Sequence, residues 1–134
     1  MTNSYSSCKN DYGPTPYVTN ATCKALQNST FRTALWTGHY LQMTIMSIPP
    51  CSDIGLEIHE DTDQIIHIEQ GMGILKMGKH KNDLNWCQNI CRGDSLFIPA
   101  GTWHNIINCE RTPLKVSSIY GPPQHPAGII ECSK

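Results

Sequence analysis

The chain has 134 residues, of which 39% are hydrophobic, and its formal net charge is −1. This length is sufficient for one domain with its own core. No apolar run approaches the roughly 20 residues that cross a membrane, and the nearly neutral charge offers no basic surface to nucleic acid. We therefore expect neither membrane attachment nor nucleic-acid binding.

The cysteines and the N-terminal segment indicate the cellular compartment. The seven cysteines are irregularly spaced and include no Cys-x-x-Cys pair. The first residues, MTNSYSSCKNDYG, lack the basic flank and the apolar stretch of a secretory signal. We therefore expect free thiols in a reducing cytoplasm rather than a disulfide framework.

The predicted elements are short and mostly extended. Residues 1–16 are rich in Ser, Asn, Gly and Pro and predict a flexible N-terminal arm, followed by a single domain over 17–134. The only helical character lies in KALQNSTFRTAL, residues 24–35, where the β-branched, Asn and Ser content weakens it. Short runs bounded by turn residues then follow: YLQMTIMSI, LEIH, QIIHIEQG, GILKMG, SLFIPAG, HNIINC and LKVSSIYG. Strands of this length and spacing predict an all-β sandwich or barrel.

A spaced motif of Gly, Pro, His and Asn lies in the second half of the chain. Gly93 is followed after five residues by Pro99-Ala-Gly101, after two more by His104 and after three more by Asn108. This pattern resembles the second motif of the cupin superfamily at every fixed position.

An earlier segment has the spacing of the first cupin motif, with altered residues. Cys51 is followed after five residues by Glu57-Ile-His59, after four more by Gln64 and after six more by Gly71. The cupin motif has Gly, His and Glu where this chain has Cys51, Glu57 and Gln64. The paired spacings, rather than the first motif alone, support the resemblance.

The resemblance covers about residues 40–120, with core motifs at 51–73 and 93–108. It implies a double-stranded β-helix, the jelly-roll cupin barrel, with a metal site inside. Strand alternation supports this arrangement independently, because residues two apart on a strand point to the same side.

The ligand set that the resemblance implies is Glu57, His59, Gln64 and His104. Two imidazoles, one carboxylate and one amide oxygen suit one divalent metal ion, Mn²⁺, Fe²⁺ or Zn²⁺. A slip of one residue in strand register would instead turn Glu57 to the surface.

The C-terminal segment IYGPPQHPAGII, residues 119–130, contains too many prolines and glycines for a central strand. It is either a rigid loop that closes the barrel or a lid. As a lid, it would bring Tyr120 or His125 towards the metal as a catalytic acid or base.

The fold and the metal site do not identify the reaction, because proteins with this barrel catalyse many different reactions. The chain resembles mannose-6-phosphate isomerase-like cupins, which implies a metal-dependent isomerase acting on a small sugar-like or hydroxy/keto substrate. In that role a carboxylate such as Glu57 moves a proton. The chain has no Lys/Arg cluster for a phosphate. The alternatives are an Fe(II) dioxygenase and a non-enzymatic metal- or ligand-binding module.

A homodimer is also expected. Small cupins pair through edge strands, and the segment PYVTN, residues 16–20, would supply an exposed strand for this contact.

Overall fold

The computed structural model describes residues 9–134, which form one short helix and ten strands. In chain order the elements are α1 (Ala21–Gln27), β1 (Arg32–Thr37), β2 (Gln42–Ile48), β3 (Ser52–Asp53), β4 (Asp63–Gln70), β5 (Met72–Gly78), β6 (Trp86–Cys91), β7 (Ser95–Ile98), β8 (Trp103–Asn108), β9 (Leu114–Gly121) and β10 (Ile130–Glu131).

The strands form two antiparallel sheets. The larger sheet has the order β10-β1-β2-β9-β4-β7, and the smaller has the order β3-β8-β5-β6. Apart from the consecutive pairs β1–β2 and β5–β6, neighbours in these orders are not consecutive in the chain, as expected when a chain winds between two facing sheets. The predicted all-β jelly-roll barrel is confirmed.

Alternation along each strand separates the core from the surface. In β4, Ile66 and Ile68 are buried, whereas Ile65 is exposed and His67 half-buried. Ile66 and Ile68 therefore face the core. The residues of the main core cluster are Phe31, Met46, Ile48, Ile54, Ile66, Ile68, Leu75, Ile90, Leu96, Ile98, Ile106, Leu114 and Val116. Each large apolar side chain buried in this way contributes about 1.5–3 kcal/mol.

The barrel interior has an apolar end and a polar end. At one end of the β2–β9 pair, Ile48 lies opposite Leu114; at the other, Gln42 lies opposite Tyr120. Tyr120 also pairs with Gln64 on β4. All five side chains are buried. Polar groups that need partners are therefore concentrated at one end, where the candidate site lies.

The helix differs from the weak helical prediction over residues 24–35. Helix α1 ends at Gln27, and the later part of that segment is strand β1. Asn20 starts the helix, because its side chain accepts a hydrogen bond of 2.9 Å from the Cys23 backbone N–H. Within residues 9–134, no helix has the length and apolar character needed to cross a membrane.

The predicted flexible arm lies only partly within the described residues, because residues 1–8 are outside them. In its remaining part, the Asp11 carboxylate accepts hydrogen bonds from the Thr37 backbone N–H and hydroxyl and from the Gly128 backbone N–H. This part is therefore bonded to β1 and to the C-terminal segment. The domain boundary after residue 16 stays a prediction.

The segment PYVTN, predicted as an exposed strand for dimer contact, is not a strand. Residues 16–20 have irregular backbone that leads into α1. Pro16, Val18 and Asn20 are exposed, as predicted for this segment, and Val18 is 96% exposed. The physical reason for the difference is that Asn20 is used as a helix cap and Pro16 has no backbone N–H to donate.

Candidate metal centre

Three of the predicted ligands meet at the polar end of the barrel. Glu57, His59 and His104 each offer one ligand atom, and these atoms all lie within 4.8 Å of one another. Glu57 Oε2 is 3.4 Å from His59 Nε2 and 3.8 Å from His104 Nε2. This Glu/His/His group is able to hold a metal ion.

Backbone hydrogen bonds fix the three residues relative to one another. Glu57 and His104 exchange two bonds of 2.9 Å between their N–H and C=O groups. Gly101, in the turn before His104, donates its N–H to the His59 carbonyl at 2.8 Å. Gly101 has a φ of 76°, in the left-handed region that glycine adopts without strain. The turn therefore joins the two motifs directly.

The His104 ring is oriented for metal binding. Its side chain is fully buried, and Nδ1 lies 2.9 Å from the Thr102 carbonyl oxygen. Because a carbonyl only accepts, Nδ1 carries the proton and the Nε2 lone pair faces the site. Burial lowers the pKa of His104, which keeps the ring in the neutral form that binds metals.

Glu57 is held as a carboxylate. Burial acts to raise its pKa, but the contact with His59 and the positive charge of Arg32 outweigh burial, so the pKa lies below its usual value. Arg32 Nη2 is 3.6 Å from Glu57 Oε1, on the opposite side from the two imidazoles. One carboxylate oxygen therefore faces the histidines and the other faces a cation.

Gln64 lies on the inner face of β4 at the same end of the barrel. Its Nε2 donates to Ser118 Oγ at 3.1 Å, which leaves the amide oxygen as the free atom. Among residues 9–134, Gln64 Oε1, His59 Nε2 and His104 Nε2 are buried without hydrogen-bond partners. Buried polar atoms left unpaired are costly, and a divalent cation would satisfy them. The donor set therefore fits the predicted ion.

Tyr120 and His125 lie beside this centre. The Tyr120 ring is 5.6 Å from the His59 ring, and its hydroxyl is 3.3 Å from His125 Nε2. Burial raises the pKa of Tyr120 and lowers the pKa of His125 to about 4, so both are neutral near pH 7. His125 thus meets the site through Tyr120. The prediction that residues 119–130 form a loop or lid is wrong for Tyr120, which lies on β9 between β2 and β4, because the prolines begin only at Pro122.

Gln42 holds this arrangement in place, and this role was not predicted from the sequence. The buried Gln42 accepts hydrogen bonds from the backbone N–H groups of Gln124 and His125, at 3.2 and 2.9 Å. It donates to the His125 carbonyl at 2.9 Å and to Thr37 Oγ1 at 3.0 Å. The sequence signal for this role was a polar side chain at an inward position of β2. Gln42 anchors the C-terminal segment over the barrel end.

Arg32 was also missed as a site residue. It is 5% exposed, and its Nη1 bonds the carboxylate of Glu131, a residue 99 positions later in the chain. Nothing local to Arg32 in the sequence indicates that partner.

Residues 44–120 match the family model described as Cupin domain. The chain belongs to the cupin family. The Bacillus subtilis protein YrkC is 54% identical over 124 residues, which cover 92% of this chain and 67% of YrkC. The cupin range contains all four predicted ligands and Tyr120, whereas Arg32 and His125 lie outside it.

Two solved structures extend the comparison. The crystal structure of BH2720 from Bacillus halodurans has a TM-score of 0.91 and 45% identity, and the match covers 92% of this chain and 94% of that one. A predicted oxalate decarboxylase from Thermotoga maritima has a TM-score of 0.54 and 27% identity over 61% of this chain and 66% of that one. The cupin is therefore similar to proteins from several sources.

Proposed function

We propose that this cupin binds one divalent metal ion through Glu57, His59, Gln64 and His104 and is a metal-dependent enzyme of the isomerase type. Its substrate is a small molecule with hydroxy or keto groups. The observation that carries the proposal is the set of buried, unpartnered polar atoms beside a neutral Tyr120. Such a set suits a cation and leaves a proton-carrying group next to it.

Different residues would have different roles in such a reaction. The ion, when bound, would polarise a carbonyl or hydroxyl oxygen of the substrate. Tyr120 supplies a phenolic proton inside the cavity, and His125 Nε2 lies close enough to exchange it. Glu57 is 24% exposed in its side chain, the most accessible of the three grouped ligands. Substrate therefore enters on the Glu57 side.

The charge of the cavity argues against a phosphorylated sugar. Arg32 is the one buried Lys or Arg among residues 9–134, and it is bonded to Glu131. A phosphate group requires several donors or cations to replace its hydration. The substrate we favour is smaller and less charged.

A second candidate has one observation in its favour. The predicted oxalate decarboxylase is 27% identical to this cupin over the aligned region. We therefore also consider lyase chemistry on a small carboxylic acid, for which the metal ligands would be the same.

The metal site is tested by elemental analysis of protein purified without added metal. We expect about one ion per chain in the wild type and a large loss in His104→Ala and Glu57→Ala. His80→Ala, which alters an exposed turn histidine, is the matched control and should keep the ion. Normal metal content in both site variants would contradict the assignment.

Activity is then tested on the metal-loaded protein with aldoses, ketoses, hydroxy acids and keto acids. Isomerisation without oxygen consumption supports the proposal, and release of carbon dioxide supports the second candidate. Oxygen-dependent turnover would indicate a dioxygenase. A fully loaded protein that is inactive on every class would indicate a binding module.

A further inference from the structure

Arg32 is an unusual residue for the inner wall of a barrel. It is 5% exposed, and removing a charge from water is costly unless the charge is paired and fully hydrogen-bonded. Its side chain projects from β1 beside the metal centre, outside the range that matches the cupin family model. Because burying this cation is costly, we expect Arg32 to have a function at the metal centre.

The hydrogen-bonding capacity of the guanidinium is only partly used. Its Nη1 bonds Glu131, and its Nη2 lies 3.6 Å from Glu57 Oε1, beyond the usual hydrogen-bond length. Its Nε is buried and has no partner among residues 9–134. Glu131 lies on the last strand and its side chain is 36% exposed. Arg32 thus has hydrogen-bond donors that are not used, and its partner Glu131 is able to turn towards solvent.

The charges around the centre favour an anion once a metal is bound. Arg32 faces two carboxylates, those of Glu57 and Glu131, which leaves one net negative charge. The imidazole ligands are neutral when they bind a metal. A divalent ion therefore reverses the balance to one net positive charge at a largely buried centre. A ligand with a single negative charge would neutralise it.

We propose that Arg32 is an anion-binding residue of the metal centre and that the ligand is a small monocarboxylic acid with a hydroxy or keto oxygen. This inference rests on the proposed function, since it assumes a bound ion. The planar guanidinium presents paired donors that match a carboxylate. Glu131 occupies Nη1 in the absence of ligand and releases it when the carboxylate arrives.

The test compares glycolate with its neutral amide, glycolamide, on Mn²⁺-loaded protein by titration calorimetry. We expect the wild type to bind glycolate at least tenfold more tightly than glycolamide. Arg32→Gln should remove that preference, and Arg32→Lys should keep part of it. Glu131→Gln should strengthen glycolate binding severalfold and leave glycolamide binding unchanged. Glu110→Gln, at an exposed position, is the control and should change neither.

Metal content is measured first for every protein, which separates the two proposals. A wild type without bound Mn²⁺ overturns the proposed function and, with it, this inference. An Arg32→Gln protein with normal Mn²⁺ content and an unchanged preference for glycolate overturns the role of Arg32 alone. If that variant does not fold or hold Mn²⁺, Glu131→Gln decides, and unchanged glycolate affinity there overturns the proposal.

Discussion

Replacing Gln64 with Glu should have opposite effects on the metal-free and metal-bound protein. Gln64 is 3% exposed, and its amide oxygen is one of the unpartnered acceptors of the site. The substitution keeps the size of the side chain but adds an ionisable group close to Glu57. Ser118 Oγ, which accepts from Gln64 Nε2, can donate to the new carboxyl instead, so the local contact survives.

The expected magnitude follows from the burial of this position. Without metal, burial and the charge of Glu57 raise the pKa of the introduced carboxyl by about 2 to 3 units above its unfolded value near 4.3. At neutral pH this lowers the free energy of unfolding by about 2.5–3.5 kcal/mol. The penalty is absent below the unfolded pKa and grows as the pH rises towards the folded pKa. With a divalent ion bound, the second carboxylate should tighten metal binding roughly tenfold or more.

The assay is thermal unfolding in chelator and in excess Mn²⁺. A loss of this size lowers the midpoint in chelator by roughly 10 °C, and the stabilisation by Mn²⁺ should be larger than in the wild type. Gln88→Glu, at an exposed position of β6, is the matched control. If Gln64→Glu and the control unfold alike in chelator and respond alike to Mn²⁺, Gln64 does not belong to the site.

Three further predictions concern the C-terminal segment and the surface. His125 has a pKa of about 4 when folded, so stability should fall as the pH drops from about 6.5 towards 4. His125→Asn should reduce that loss, by no more than about 1–2 kcal/mol after solvent screening, in urea titrations at each pH. Gln42→Leu removes four hydrogen bonds and should cost about 2–4 kcal/mol of unfolding free energy, again measured in urea. Phe97 and its cross-strand neighbour Ile65 are 68% and 38% exposed on one face of the larger sheet, and we expect this face to form a homodimer. Light scattering should then give half the wild-type mass for Phe97→Ser, and a monomeric wild type would contradict the prediction.

The parts of the site that local spacing encodes could be predicted from the sequence. The motif spacing predicted that Glu57, His59 and His104 would meet, and they do. The predicted strand LEIH is wrong, however: Glu57 and His59 lie between β3 and β4, and only an isolated bridge from Glu57 to His104 joins this segment to β8. The pairing of Arg32 with Glu131 could not be predicted, because it joins residues 99 positions apart. No local pattern sets the register between two such distant strands.

The environment of Glu57 separates the roles of ligand and base under the proposed function. Its Oε2 faces the imidazoles of His59 and His104, and its Oε1 faces Arg32. The same contacts lower its pKa, and a carboxylate with a lowered pKa is a weaker base. Glu57 is therefore better suited to holding the ion than to moving a proton. Under that proposal the proton donor to a substrate oxygen is Tyr120, whose pKa burial raises, and the proton acceptor beside it is His125, which is neutral near pH 7.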